Sequence, residues 1–163
     1  MSAAQQAKEI YNELRTTLPP LLASYLVDQR WFGGKARQIR SVEIIDLIPL
    51  GNPRVETFVL LVRLEYATGP GETYVLPLIC AREQTAESAA TGLNVHSLAR
   101  GTDLYLRNAL ADHEFLRGVL EAIEQKTVFR GSEGEIRTAC TSVFHILCGD
   151  STGILQPKPI KAE

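Results

Sequence analysis

Between Thr57 and Tyr66 the chain alternates Phe58, Leu60, Val62, Leu64 and Tyr66 with Arg63 and Glu65 among the intervening positions. A period of two puts one set of side chains on each face of a pleated strand, so this segment predicts a half-buried antiparallel strand. Strand candidates flank it at Ser41 to Leu50 and Glu72 to Ala81. The link Ala67-Thr68-Gly69-Pro70-Gly71 is short and rich in turn residues, so the second and third strands form a hairpin. Pro77 has no N–H to give a ladder, which places its part of the third strand at an edge or a bulge.

Helical spacing frames these strands. Ala7, Ile10, Tyr11 and Leu14 recur on one helix face, Pro19-Pro20 interrupts, and Leu21, Leu22, Tyr25 and Leu26 resume the stripe as far as Arg30. From Gln84 to Thr102 periodicity fades into Ala, Ser, Thr and Gly, which marks a connection between two subregions. Asp112 is placed to cap a second helix running to Lys126, because Phe115, Leu116, Val119, Leu120 and Ile123 fall on one face. Thr127 to Arg130 and Glu135 to Cys140 flank Gly131-Ser132-Glu133-Gly134 as a second hairpin, Ser142 to Leu147 continues with mixed apolar character, and Pro157 and Pro159 make the tail extended. The resulting class is α+β: an N-terminal helix against a curved antiparallel sheet over residues 1–90, then a smaller α+β subdomain over 91–163.

The balance of charge narrows the function. Seventeen basic and nineteen acidic residues give a formal charge of −2, so no general cation excess draws in nucleic acid or an anionic membrane surface. The first nine residues have no apolar core for a signal peptide, and no apolar run approaches the ~20 residues of a membrane helix. Three cysteines, Cys80, Cys140 and Cys148, cannot all pair internally. Together these features give the expectation of a cytoplasmic protein.

The candidate site is the string Gln29-Arg30-Trp31-Phe32-Gly33-Gly34-Lys35, which holds the only tryptophan and a double glycine between cations. It is not a Walker-type phosphate loop: Gln29 stands where the first glycine belongs, and Ala36 stands where a magnesium-binding Ser or Thr belongs. Two readings remain. In one the loop is a tight helix-to-strand connection with Trp31 packed on the core. In the other Arg30, Trp31 and Lys35 form a contact surface for another domain or a ligand. The cluster Arg30, Lys35, Arg37 and Arg40 is either a phosphate or acidic-partner site or a solvated face.

Elsewhere the chemistry is sparse. Cys140, His145 and Cys148 lie near one another, but the spacing fits no zinc pattern, and a fourth ligand from Cys80, His96 or His113 belongs to no recognisable pair. The cysteines read as small buried hydrophobes. An enzyme built on Cys140 and His145 has no activating sequence context. Asp112, Glu114, Glu121 and Glu124 read as cap and solvent-face residues of one helix. No catalytic and no metal-binding residue is assigned.

The signature string, with Asp46-Leu47-Ile48-Pro49-Leu50 after it and Tyr74-Val75-Leu76-Pro77-Leu78 further on, resembles the N-terminal cap region of bacterial maltokinases, including those fused to trehalose synthase. Asp103-Leu104-Tyr105-Leu106 and the helix with Phe115-Leu116 are similar to the part that links cap to kinase lobe, and Lys161-Ala162-Glu163 to the entry into the nucleotide loop. The resemblance implies a cystatin-like cap and an intermediate subdomain within the aminoglycoside phosphotransferase-like superfamily. It implies a parent that uses ATP and Mg to convert maltose to maltose 1-phosphate for trehalose and glycogen metabolism. The implied partners are the C-terminal kinase lobe and trehalose synthase. A glucosamine kinase cap is the neighbouring alternative, and a free-standing sugar- or phosphate-binding module using Arg30, Trp31 and Lys35 is one of a different class. The strand lysine, catalytic-loop aspartate and acidic metal ligand of phosphoryl transfer have no counterpart motifs in this chain, so no kinase activity is expected of it alone. The Gln-x-Val-x-Gly string of cystatin inhibitors is also absent.

Overall fold

Phe58, Leu60, Val62, Leu64 and Tyr66 do lie on one face of a strand, and that face is the floor of the main core. The computed structural model describes residues 3–51, 56–81, 92–97, 102–148 and 157. Helix α1 (Ala3–Asp28) lies against a five-stranded sheet built from β1 (Ile39–Pro49), β2 (Glu56–Tyr66), β3 (Glu72–Ala81), β4 (Leu93–Ser97) and β5 (Thr102–Asn108). The strand order is β1-β2-β3-β5-β4, and every neighbouring pair is antiparallel. A short 3-10 turn (Ala109–Ala111) then leads to α2 (His113–Gln125), the hairpin of β6 (Val128–Arg130) and β7 (Glu135–Arg137), and α3 (Ser142–Cys148). The fold is α+β, as the sequence pattern implies. Among the described residues no helix is long and apolar enough to cross a membrane.

Helix α1 does not break at Pro19-Pro20, contrary to the sequence expectation. Leu14, Leu18, Leu22 and Leu26 form one stripe, buried against the sheet on both sides of the prolines, while Pro20 faces solvent. Burying each leucine contributes about 1.5–3 kcal/mol, and a proline inside a helix costs ~3 kcal/mol, so packing outweighs the lost backbone bonds. Leu21, expected on the stripe, is exposed. The side chains of Ala7 and Ile10 lie outside the described residues.

Strands β4 and β5 arise within and just after the stretch whose periodicity fades. Leu93 and Val95 on β4, with Leu104 and Leu106 on β5, join the same core as α1. The strands following the 90/91 division therefore belong to the same sheet as those before it. Pro77 pairs with Val59 on β2, and β5 flanks β3 only from Leu78 onward, so the proline sits where that flank is open. Ser142 to Leu147 lies in a helix, with Thr141 Oγ1 accepting from the Phe144 amide at 3.3 Å. The tail around Pro159 and the segment 161–163 lie outside the described residues.

The opposite sheet face carries α2 and the β6–β7 hairpin. Asp112 caps α2 by accepting from the Phe115 amide at 2.9 Å, and Lys126 ends the helix in the left-handed conformation. Ile79, Ala109 and Phe115 form the small second core there.

Candidate functional site

The signature string begins where α1 runs out. Gln29 accepts a bond on its carbonyl from the Phe32 amide at 3.2 Å, and its side-chain amide donates to the Tyr25 carbonyl at 3.2 Å, closing the helix C-terminus. A second turn follows, with the Arg37 amide donating to the Gly34 carbonyl at 2.9 Å. Two successive turns reverse the chain before β1.

These turns send consecutive aromatic side chains in different directions. Phe32 is buried in the main core with its ring centroid 5.3 Å from that of Tyr74. Trp31 is 47% exposed and meets Tyr74 from outside, with centroids 6.3 Å apart. The reading in which Trp31 anchors the core is corrected: Phe32 has that position, because the loop allows only one of two adjacent rings to point inward.

The two glycines also differ. A Cβ on Gly34 would lie 2.4 Å from the Tyr66 hydroxyl and 2.6 Å from Phe32 Cζ, so only glycine allows this close approach, whereas Gly33 has open space around it. Gly34 is thus covered by Tyr66 and Phe32.

Beneath the loop lies a polar knot. Glu72 Oε2 accepts from Tyr66 at 2.8 Å and from Tyr74 at 2.7 Å, while Glu72 Oε1 pairs with Arg37 at 2.7 Å. The Arg37 guanidinium also stacks 3.5 Å from the Tyr66 ring centroid and donates to the Pro70 carbonyl at 2.5 Å. The tyrosine hydroxyls hold the Glu72 carboxyl below its ordinary range. Burial, reinforced by the Glu72 bond, pushes the Tyr74 phenol up. Of the four cations grouped in sequence, Arg37 is therefore committed to the fold. Arg30, Lys35 and Arg40 are exposed and pair with no carboxylate among the described residues.

A residue overlooked as a functional candidate is Asp46, which is 1% exposed. A bulge between Ile44 and Asp46 lets Ile44 and Leu47 both face the main core and turns Asp46 to the other side. There the carboxylate accepts from the amides of Ser132 at 3.0 Å, Glu133 at 3.2 Å and Gly134 at 2.9 Å, and from the Ser132 hydroxyl at 3.1 Å. Burial works to raise its pKa, but the hydrogen bonds from Ser132, Leu47 and Glu133 prevail and hold it below the usual carboxylate range. Arg15 spans the same edge of the sheet, donating to Ser132 Oγ at 2.9 Å and to the Ile45 carbonyl at 2.7 Å. The available signal was a single carboxylate inside the apolar run Ile44-Ile45-Asp46-Leu47-Ile48.

The remaining candidates are not gathered into a site. Cys80 is buried on β3, and Cys140 is half-buried with its thiol 3.9 Å from the Thr141 carbonyl. The side chains of His96, His145 and Cys148 lie outside the described residues. His113 is exposed, 3.1 Å from the Pro157 carbonyl. Among the described residues no three His, Cys, Asp or Glu side chains converge to hold a metal ion. Glu114 and Glu121 both pair with Arg117 on α2, as solvent-face residues do.

No curated protein sequence matches the chain. The maltokinase N-terminal cap domain model does match, over residues 25–112, which takes in the signature loop, the whole five-stranded sheet and the α2 cap residue. Since that span is just over half of the sequence, the chain belongs to the maltokinase N-terminal cap family.

Proposed function

We propose that this chain is the accessory cap of a maltokinase-like sugar kinase and that its signature loop is a docking surface for the C-terminal kinase lobe or for trehalose synthase. The observation that carries the docking role is the half-exposed Trp31, set on Tyr74 and bordered in sequence by the exposed cations Arg30 and Lys35. Aromatic and cationic side chains of this kind dominate protein contacts when they become buried. In the parent enzyme ATP and Mg supply phosphoryl transfer to maltose, giving maltose 1-phosphate in the cytoplasm, with the catalytic groups carried by the lobe that the cap braces. A glucosamine kinase parent would use the cap in the same way.

A second reading, favoured by the same exposed tryptophan, is a sugar- or phosphate-binding module, since aromatic rings stack on sugars and cations pair with phosphate. Titration of the chain with maltose, maltose 1-phosphate and ATP separates the two. The cap reading expects no saturable binding and no ATP turnover with maltose. Millimolar or tighter binding that is lost in Trp31→Ala, with folding intact, establishes the module instead.

A further inference from the structure

A cavity of about 560 Å³ lies between the second sheet face, α2 and the β6–β7 hairpin. Val59, Phe115, Val119 and Phe129 give it an apolar wall, Thr57 shares the sheet side, and Glu114, Arg117, Glu121 and Gln125 of α2 form a polar margin. Thr57 is 5% exposed, and its position opposite Ile79 places it on the α2 face rather than the α1 face. Its carbonyl accepts from the Leu50 amide at 3.0 Å, whereas its hydroxyl has no hydrogen-bond partner among the described residues. The hydroxyl of Thr138, on the same cavity, is by contrast used, donating to the Ala122 carbonyl at 2.5 Å.

Buried hydroxyls are ordinarily bonded, and an unpaired one inside apolar walls is costly unless something supplies a partner. The volume falls within the range of small-molecule sites, which combine an apolar lining with a few placed polar groups. We propose that this cavity binds a small, mostly apolar molecule bearing one oxygen, an alcohol or ketone, with that oxygen bonded to the Thr57 hydroxyl. The apolar body fills the space between Val59 and Phe115, and Thr57 selects against hydrocarbons of the same shape. The site is separate from the signature loop, so it stands whether or not the docking role there holds.

The test is a titration of the whole chain, followed by amide NMR shifts, with the matched probes 1-indanol and indane. Shifts confined to residues on the cavity wall, with 1-indanol binding about threefold to tenfold more tightly than indane, are expected from one neutral hydrogen bond. Thr57→Val keeps the shape and removes the hydroxyl, so it abolishes the preference. Thr57→Ser keeps the hydroxyl and retains it. Absence of localised shifts up to the solubility limit overturns the site, and equal affinity for the two probes in the unaltered chain overturns the Thr57 anchor.

Discussion

The two faces of the sheet are held by different physics. Toward α1 the chain sets Leu14, Leu18, Leu22 and Leu26 against Phe58, Leu60, Val62 and Leu64 in one continuous apolar core. Toward α2 the buried cluster is small, and much of the attachment passes through one carboxylate, Asp46, gripping the turn at 131–134. Area secures the first face and directed hydrogen bonds secure the second. The first therefore responds most to truncation, with the Glu72 knot at its rim as its titratable part, while the second responds most to the charge on one buried carboxylate.

The largest expected effect comes from the first face. Leu60→Ala, at a position with no exposed surface, should cost about 2.7–5 kcal/mol by loss of burial and creation of a cavity, read by chemical denaturation. A cost under about 1 kcal/mol would show that the α1 face is not the dominant core. Next is the Asp46 grip. Gly131→Ala would place a Cβ 2.2 Å from Asp46 Oδ2, and Asp46→Ala removes the acceptor altogether. Each should cost about 1–3 kcal/mol, with faster amide exchange at residues 132–134 and unchanged exchange in β2. Equal acceleration in both places would mean that the two faces unfold as one unit.

A smaller effect separates the faces by pH. Because Asp46 is held below the usual carboxylate range, its stabilisation is fully present above that range and is lost as pH falls through its own lowered value. Asp112, lowered by Arg107 and the Phe115 amide against the effect of burial, adds to the same acid loss. Asp46→Asn should reduce the slope of the stability profile below about pH 4 while leaving the part due to Asp112 and Glu72. An unchanged profile would remove Asp46 as the acid-sensitive group. The smallest effect is Trp31→Ala, expected to change stability by less than about 1 kcal/mol because the ring is half-exposed, against the ~3–5 kcal/mol of a buried aromatic. Thermal melting beside Phe32→Ala checks this, and a Trp31 loss as large as that of Phe32 would put Trp31 back in the core.

What was legible in the sequence divides along the same line. Strands β1 to β3, the β2–β3 turn, the Asp112 cap and the 131–134 turn were readable because each rests on a local period or a turn residue. Helix α1 was misread at Pro19-Pro20, since the leucine stripe that overrides the prolines gains its energy only from the sheet. Strands β4 and β5 were missed although Leu104 and Leu106 alternate, because a short strand is stabilised by neighbours far along the chain. In the signature loop the glycines suggest special backbone conformations, yet neither takes a left-handed φ, and Gly34 is required by close approach instead. Which of Trp31 and Phe32 faces the core, and which glycine is indispensable, depended on Tyr66 and Tyr74 from other strands. Asp46 and Thr57 were silent for the same reason: their significance lies in partners, or the lack of them, across the second face.

The central claim, that this is the cap of a maltokinase-like kinase, is tested most directly by reading the parent gene past the codon for Glu163. The account expects the frame to continue into a nucleotide loop, a strand lysine and a catalytic aspartate. A stop codon at that point would contradict it, leaving a free-standing cap-fold protein whose function must lie in the Arg30-to-Lys35 loop or the Thr57 cavity.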